Sequence, residues 1–217
     1  MNTFVYFLLG IAYVLLFIWG VWLAKQRGIQ VSDVLLLVTI GLIYDNTIIA
    51  LGRFIGEGVF LENLSYCRYW LHALFTPTLI LYSWSICFEM GFSFAKKTFW
   101  KTAAYLLTFG LIIYELFIYM DRLKLLPMWE NEILIYDHEG QLGFPLMIVC
   151  VTFALFIVGI IFLKMVKFPW LLVGVIVMCV GSSLSIWLKE FPIMNVMEFI
   201  LMISLLSVKK LSREHLS

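Results

Sequence analysis

The sequence predicts an all-α, polytopic membrane protein: seven transmembrane helices in one bundle, N-terminus outside and C-terminus cytoplasmic. Three observations carry that prediction. Apolar residues make up 63% of the chain and charged residues 13%, against roughly a quarter charged in an ordinary soluble domain, so this inventory cannot build a water-facing surface. Seven apolar runs approach the roughly 20 residues that a helix needs to cross the hydrocarbon layer. Basic residues gather in the loops that alternate spans would place on one side, and the positive-inside rule makes that side cytoplasmic. With no internal linker or low-complexity tract, residues 1–217 read as a single domain. The strand-built alternative, a β-barrel, needs dyad alternation, and Leu35-Leu36-Leu37-Val38 shows none.

Span one, 3–24, has no basic residue before it and no small-residue cleavage site close after it, so it reads as a retained helix. Lys25 and Arg27 follow on the cytoplasmic side. Span two, 31–53, is interrupted late by Tyr44, Asp45 and Asn46 and ends on Arg53. With a rise of about 1.5 Å per residue, Asp45 lies about 21 Å from the cytoplasmic start, in the outer third. Arg53 and Glu57 stand four residues apart and pair if the helix continues that far. Residues 54–67 read as an amphipathic outer loop lying on the interface, with Gly56 and Gly58 permitting the turn.

Span three, 68–91, carries Arg68, His72 and Thr76 on one face near its outer end. His72 is about 6 Å below the surface. Pro77 removes a backbone hydrogen bond and predicts a kink near Ala73. Lys96, Lys97 and Lys101 mark the next cytoplasmic loop, and Glu89 reads as reaching the interface beside them. Span four, 102–121, holds Tyr114 and, about 20 Å along, Glu115. The outer loop 122–143 is long enough for a lid. Within it, Ile133-Leu134-Ile135-Tyr136 before Asp137-His138-Glu139-Gly140 predicts a short hairpin over the pocket.

Spans five, six and seven cover 144–166, 170–188 and 193–208. Ser182, Ser185 and Lys189 share one face of the outer half of span six. On span seven, Asn195 lies one turn from Glu198, which is about 8 Å below the outer surface. The inner halves of the spans read as nearly bare of polar groups.

Four ionisable residues on four helices therefore share one level. A charge at the bilayer centre costs about 3 kcal/mol even on the lenient insertion scale, so such groups face a protein interior or a wet cavity. The sequence predicts an outward-opening pocket with Asp45, His72, Glu115 and Glu198 as its chemical groups. Tyr44, Asn46, Arg53, Glu57, Arg68, Thr76, Tyr114, Ser182, Ser185, Lys189 and Asn195 are its contact residues. A carboxyl group desolvated there suits general-acid work or proton-coupled binding.

The inventory excludes several seven-helix chemistries. Residues 193–208 contain no lysine for a retinal Schiff base, and the three histidines, His72, His138 and His215, cannot supply the three-histidine zinc site of the ceramidase and adiponectin-receptor hydrolases. Four cysteines without ligand-like spacing predict neither a disulfide framework nor a metal site. Neither a Walker motif nor GxSxG occurs.

The element "SICFE", Ser85 to Glu89, resembles the Asn-x-x-Trp-Glu element of the integral-membrane terpene cyclases, with Ser85 in place of Asn and Phe88 in place of Trp. The resemblance implies an acid in an aromatic membrane pocket, with Glu198 as counterpart of the late essential acid. It implies a lipid or isoprenoid substrate transformed by acid–base chemistry. The expected setting is the cell membrane, with membrane lipids as partners and neither a cofactor nor nucleic acid. A small-solute carrier or receptor, and a non-catalytic accessory subunit, are the alternatives.

Overall fold

The computed structural model describes residues 2–26, 28–138, 145–185, 187 and 191–215. Apolar stretches form eight α-helices: α1 (Asn2–Lys25), α2 (Leu35–Ile55), α3 (Val59–Phe75), α4 (Thr78–Glu89), α5 (Thr98–Tyr114), α6 (Leu146–Val166), α7 (Trp170–Leu184) and α8 (Ile193–His215). The breaks fall where backbone chemistry demands them. A 3₁₀ turn, Val31–Val34, leads into α2, and Asp33 stabilises it by accepting the Gln30 backbone N–H at 2.6 Å. Gly56 and Gly58, with φ of 83° and 155°, turn the chain from α2 into α3. Pro145, Pro169 and Pro192 precede α6, α7 and α8, where a missing N–H costs nothing.

Pro77 does more than kink a helix. Helix α3 ends at Phe75 and α4 begins at Thr78, and the pair continue in one direction as the segment Val59–Glu89. The break lies at Thr76–Pro77 rather than near Ala73. The predicted interfacial loop 54–67 is corrected as well: only residues 56–58 are non-helical, and from Val59 onward the chain is already α3. Its amphipathic pattern is that of a helix burying Leu61 and Ser65 while exposing Val59 and Phe60.

Counting α3 and α4 together gives seven helical segments, and five of them are long and apolar enough to cross a membrane. Helix α7 has 15 residues. Helix α8 mixes Glu198, Lys209, Lys210 and Arg213 into its length. Helix α1 packs on α2 and α8, α8 on α7, and α7 on α6, while α4 touches α2, α5, α6 and α8. Tyr82 of α4 is fully buried and donates to the Leu205 carbonyl of α8 at 2.6 Å. In lipid, such close packing and interhelical hydrogen bonds hold helices together where water exclusion cannot.

One departure from all-α is a hairpin. Strands β1 (Leu125–Glu130) and β2 (Ile133–His138) pair antiparallel, Leu125 opposite His138 and Glu130 opposite Ile133. Asn131 and Glu132 turn it with φ of 44° and 70°, the two left-handed residues that a tight two-residue hairpin requires. The hairpin lies against α2 and α3. Gly52 makes that approach possible, because a Cβ there would overlap the Leu134 carbonyl oxygen. Leu134 and Leu61 are fully buried in a small cluster of their own with Ile48, Leu123, Leu125 and Tyr136. The end of the bundle under this hairpin is called the hairpin end, and the other the far end.

Candidate functional site

A cavity of about 330 Å³ opens under the hairpin. Helix α1 contributes Tyr6, α2 contributes Asp45 and Ile49, and α3 contributes Arg68, Tyr69 and His72. Met194, Asn195 and Glu198 come from α8, and the hairpin closes the top with Glu130, Ile135 and Asp137. Four carboxyl groups thus face one guanidinium and one imidazole. A second cavity of about 460 Å³ continues from it along β1 and β2 toward Ser185 and Phe191, sharing Tyr6, Glu130, Asp137 and Asn195.

Asp45 and Arg68 anchor the wall. The Arg68 Nε–H donates to Asp45 Oδ1 at 2.8 Å, with the two side chains 13% and 8% exposed. Asn195 reaches across from α8, its Nδ2 donating to Asp45 Oδ2 and to Asn46 Oδ1, both at 3.4 Å. Asn46 is itself wholly buried and donates to the Leu42 carbonyl at 2.8 Å. These bonds stitch α2, α3 and α8 together at one level. They are also the reason an Asp-Asn pair tolerates a greasy helix: each polar atom finds a partner on a neighbour.

Two groups are left with capacity. His72 Nδ1 lies 2.9 Å from Thr76 Oγ1, one turn along α3, which leaves its other ring nitrogen at the cavity. Glu198 has neither a hydrogen bond nor an ion pair among the described residues. It is the open carboxyl of the site.

The hairpin is tied down from below. Asp137 accepts the Tyr69 hydroxyl, the His138 backbone N–H at 2.7 Å and His138 Nδ1 at 2.8 Å. Burial pushes the Asp137 pKa upward, but the bonds from Tyr69 and His138 and the charges of His138 and Arg68 outweigh it and hold the carboxyl below its ordinary value. A depressed folded pKa contributes stability above the unfolded value, near 3.9 for aspartate, that is lost as pH falls through the folded one. Hydrogen exchange of β2 amides is therefore expected to stay flat from pH 7 to 5 after correction for intrinsic rates. It should rise only below about pH 4, and loosening already at pH 6 would contradict the anchor.

The structure brings Asp45, His72, Arg68, Asn195 and Glu198 together as the sequence predicts, but not every candidate joins them. Glu115 is buried at the start of a π-helical turn, Glu115–Tyr119, and does not line the cavity. It shares the depth of Asp45 but not its side of the bundle, because α5 packs on α4 and that turn on α3. Tyr114, one residue before it, is likewise outside. Tyr44 points away and donates to the Leu64 carbonyl at 3.1 Å. Arg53 pairs with Glu132 of the hairpin at 3.5 Å and not with Glu57, since α2 stops at Ile55. Glu57 instead accepts from Trp129 Nε1 at 2.8 Å. Thr76 supports His72 without lining the main cavity. Ser182 is exposed and bonded to the Met178 carbonyl at 3.0 Å, while Ser185 lines the adjoining cavity. Lys189 and Glu139 lie outside the described residues.

Tyr6, Tyr69, Glu130 and Asp137 are wall residues that sequence reasoning did not assign. Nothing in the local sequence marks Tyr69 or Asp137 as cavity residues, and only the hairpin's return over α3 brings them together. A second polar cluster was also missed, at the far end. Asp33 accepts from Lys209 Nζ and from Arg213 Nη2 at 3.4 Å, and Lys209 also donates to Ser32 Oγ at 3.2 Å. Glu89 does not reach for Lys96 and Lys97. It is buried, accepting from Ser85 Oγ at 3.0 Å and Ser212 Oγ at 3.3 Å. The spacing of Lys209, Ser212 and Arg213, i, i+3, i+4, is the signal that could have found this face.

The fold and site define a mainly helical chain, about 80% helix among the described residues, with a polar, acid-rich cavity at one end of an apolar bundle. No family model matches the sequence, and no curated protein or solved structure matches the chain.

Proposed function

We propose that this is a seven-span protein of the cell membrane, hairpin end outside and C-terminus cytoplasmic, that binds a small organic cation in its outward-facing pocket as a carrier or receptor. The orientation is supported by Lys25, Lys96, Lys97, Lys101, Lys164, Lys167, Lys209, Lys210 and Arg213, which all fall at the far end of the bundle. The open Glu198 carboxyl carries the ligand assignment. Asp45 is already satisfied by Arg68 and Asn195, so Glu198 is the group left to meet a positive charge. Tyr6 and Tyr69 add aromatic surface of the kind that receives ammonium groups. The volume is within the range of small-ligand pockets, about 300–1,000 Å³.

Acid–base work on an isoprenoid is supported less well. Shielding a carbocation needs an apolar, aromatic wall, and this wall is built mainly of charged and polar groups. The two acids that the terpene-cyclase resemblance pairs are also far apart. Glu89 is bonded to Ser212, 14 residues beyond Glu198 on the same helix and so about 21 Å away along it.

Thermal unfolding of the purified protein with a panel of primary amines and quaternary ammonium ions tests the reading. At least one member is expected to raise the Tm in a concentration-dependent way, adding about 2.7 kcal/mol of stability at 100 times its Kd. Glu198→Gln should weaken that ligand by about 10- to 100-fold, the worth of a hydrogen bond to a charged group. Tyr114→Phe, outside the pocket, should leave it unchanged. A panel without effect, or an equal shift in Glu198→Gln, would refute the proposal.

A further inference from the structure

A third cavity, of about 580 Å³, lies toward the far end where α5 and α6 both pack on α4 and leave a cleft between them. Its walls are almost wholly carbon: Trp84 from α4, Trp100 and Leu107 from α5, Phe153, Ile157 and Met165 from α6. One polar group interrupts them. Ser83, a buried residue, lines the cleft, and its hydroxyl has no hydrogen-bond partner among the described residues.

At the far end the cleft is flanked by charge of one sign. Lys97 caps the start of α5, Lys101 lies in its first turn, and Lys164 lies in the last turn of α6, three residues after the wall residue Ile161, so all three stand at the far-end mouth of the two helices that flank the cleft. All three are exposed, and none forms an ion pair among the described residues. An apolar slot with a basic mouth at one level of the membrane matches a molecule with an apolar tail and an anionic head. We propose that the cleft holds an acyl chain of an anionic glycerophospholipid, its phosphate among Lys97, Lys101 and Lys164. The Ser83 hydroxyl is a free donor for an ester oxygen of that lipid. A partner helix fits less well, since an 18-residue helix about 10 Å across displaces roughly 2,000 Å³, several times the cleft. This site is separate from the pocket under the hairpin and does not depend on what binds there.

Native mass spectrometry of the full chain, with added palmitoyl-oleoyl phosphatidylglycerol or phosphatidylcholine, tests the inference. Phosphatidylglycerol is expected to bind at least ten-fold more tightly, since each lysine near an anionic headgroup contributes about five-fold. K97Q/K101Q/K164Q should abolish that preference, whereas Ala103→Trp, which fills the cleft, should weaken both lipids with the lysines intact. Ile157→Trp fills it from the opposite wall, and thermal unfolding selects the filling variant that remains folded. Equal binding of the two lipids, a preference surviving the triple substitution, or filling variants that bind lipid normally would each overturn the proposal. So would a bound peptide or second copy of the chain in place of lipid.

Discussion

Replacing Asp33 with alanine is expected to destabilise the protein by about 3–5 kcal/mol, the cost of breaking a buried ion pair from one side. Asp33 faces two cations, and the side chains of Lys209 and Arg213 are only 1% and 3% exposed. Without it, neither cation has an ion-pair partner among the described residues, and Glu89, which Lys209 feels electrostatically, is already bonded to Ser85 and Ser212. The variant also loses the bond that shapes the 3₁₀ turn before α2. Lys210 is the internal control. It lies on the exposed side of α8, 3.7 Å from Glu214, with both side chains more than half exposed, and Lys210→Ala should change stability by less than about 1 kcal/mol. Reversible unfolding in mixed micelles measures both. A loss for Asp33→Ala no larger than for Lys210→Ala would mean that the far-end cluster is not buried as described.

The second large effect belongs to the pocket. Asp45→Ala removes the partner of Arg68 and one end of the Asn195 bridge, and about 3 kcal/mol is expected, toward the lower end of the range for such pairs. Glu130, Asp137 and Glu198 line the same cavity and soften the loss. Removing both charges together, as Asp45→Leu with Arg68→Met, should recover most of the stability, because well-packed apolar residues often replace a buried pair without cost. If the double variant is as unstable as Asp45→Ala, the pair is not the source of the effect, and the packing around Asn46 is.

How far the sequence foretold these features depends on the physics behind each. Helices announce themselves through long apolar runs, and the structure places helical segments on all seven predicted runs because length and composition are local properties. The break at Pro77 was legible because proline acts where it stands, and the strand Ile133–Tyr136 was legible from its apolar run; the hairpin's turn was not, since it falls before that strand at Asn131–Glu132, while Asp137 and His138, expected in the turn, continue the strand. Depth along a helix was legible too, which is why Asp45, His72 and Glu198 meet.

Azimuth was not. Glu115 sits at the depth of Asp45 but on a helix that packs elsewhere, and a single helix does not reveal which neighbour its polar face will meet. The Arg53–Glu57 pair failed because Gly56 ends α2 before the fourth residue is reached. Lys209 and Arg213 count in the sequence only as basic residues of the cytoplasmic side. Their partner, Asp33, lies 176 residues away from Lys209 in the chain, and only the packing of α8 beside the start of α2 brings them together.

The most direct test of the pocket is whether residue 198 meets water from outside. In a chain whose Cys67, Cys87, Cys150 and Cys179 have been replaced by alanine or serine, Glu198→Cys in intact cells or sealed proteoliposomes should react with a membrane-impermeant, permanently cationic methanethiosulfonate. Leu205→Cys, two turns deeper on α8 and fully buried, should not. Modification at 198 from the hairpin side, slowed by an ammonium ligand from the binding panel, is the predicted result. A residue 198 that is inert to the reagent, or that reacts only from the C-terminal side, would contradict an outward-facing pocket.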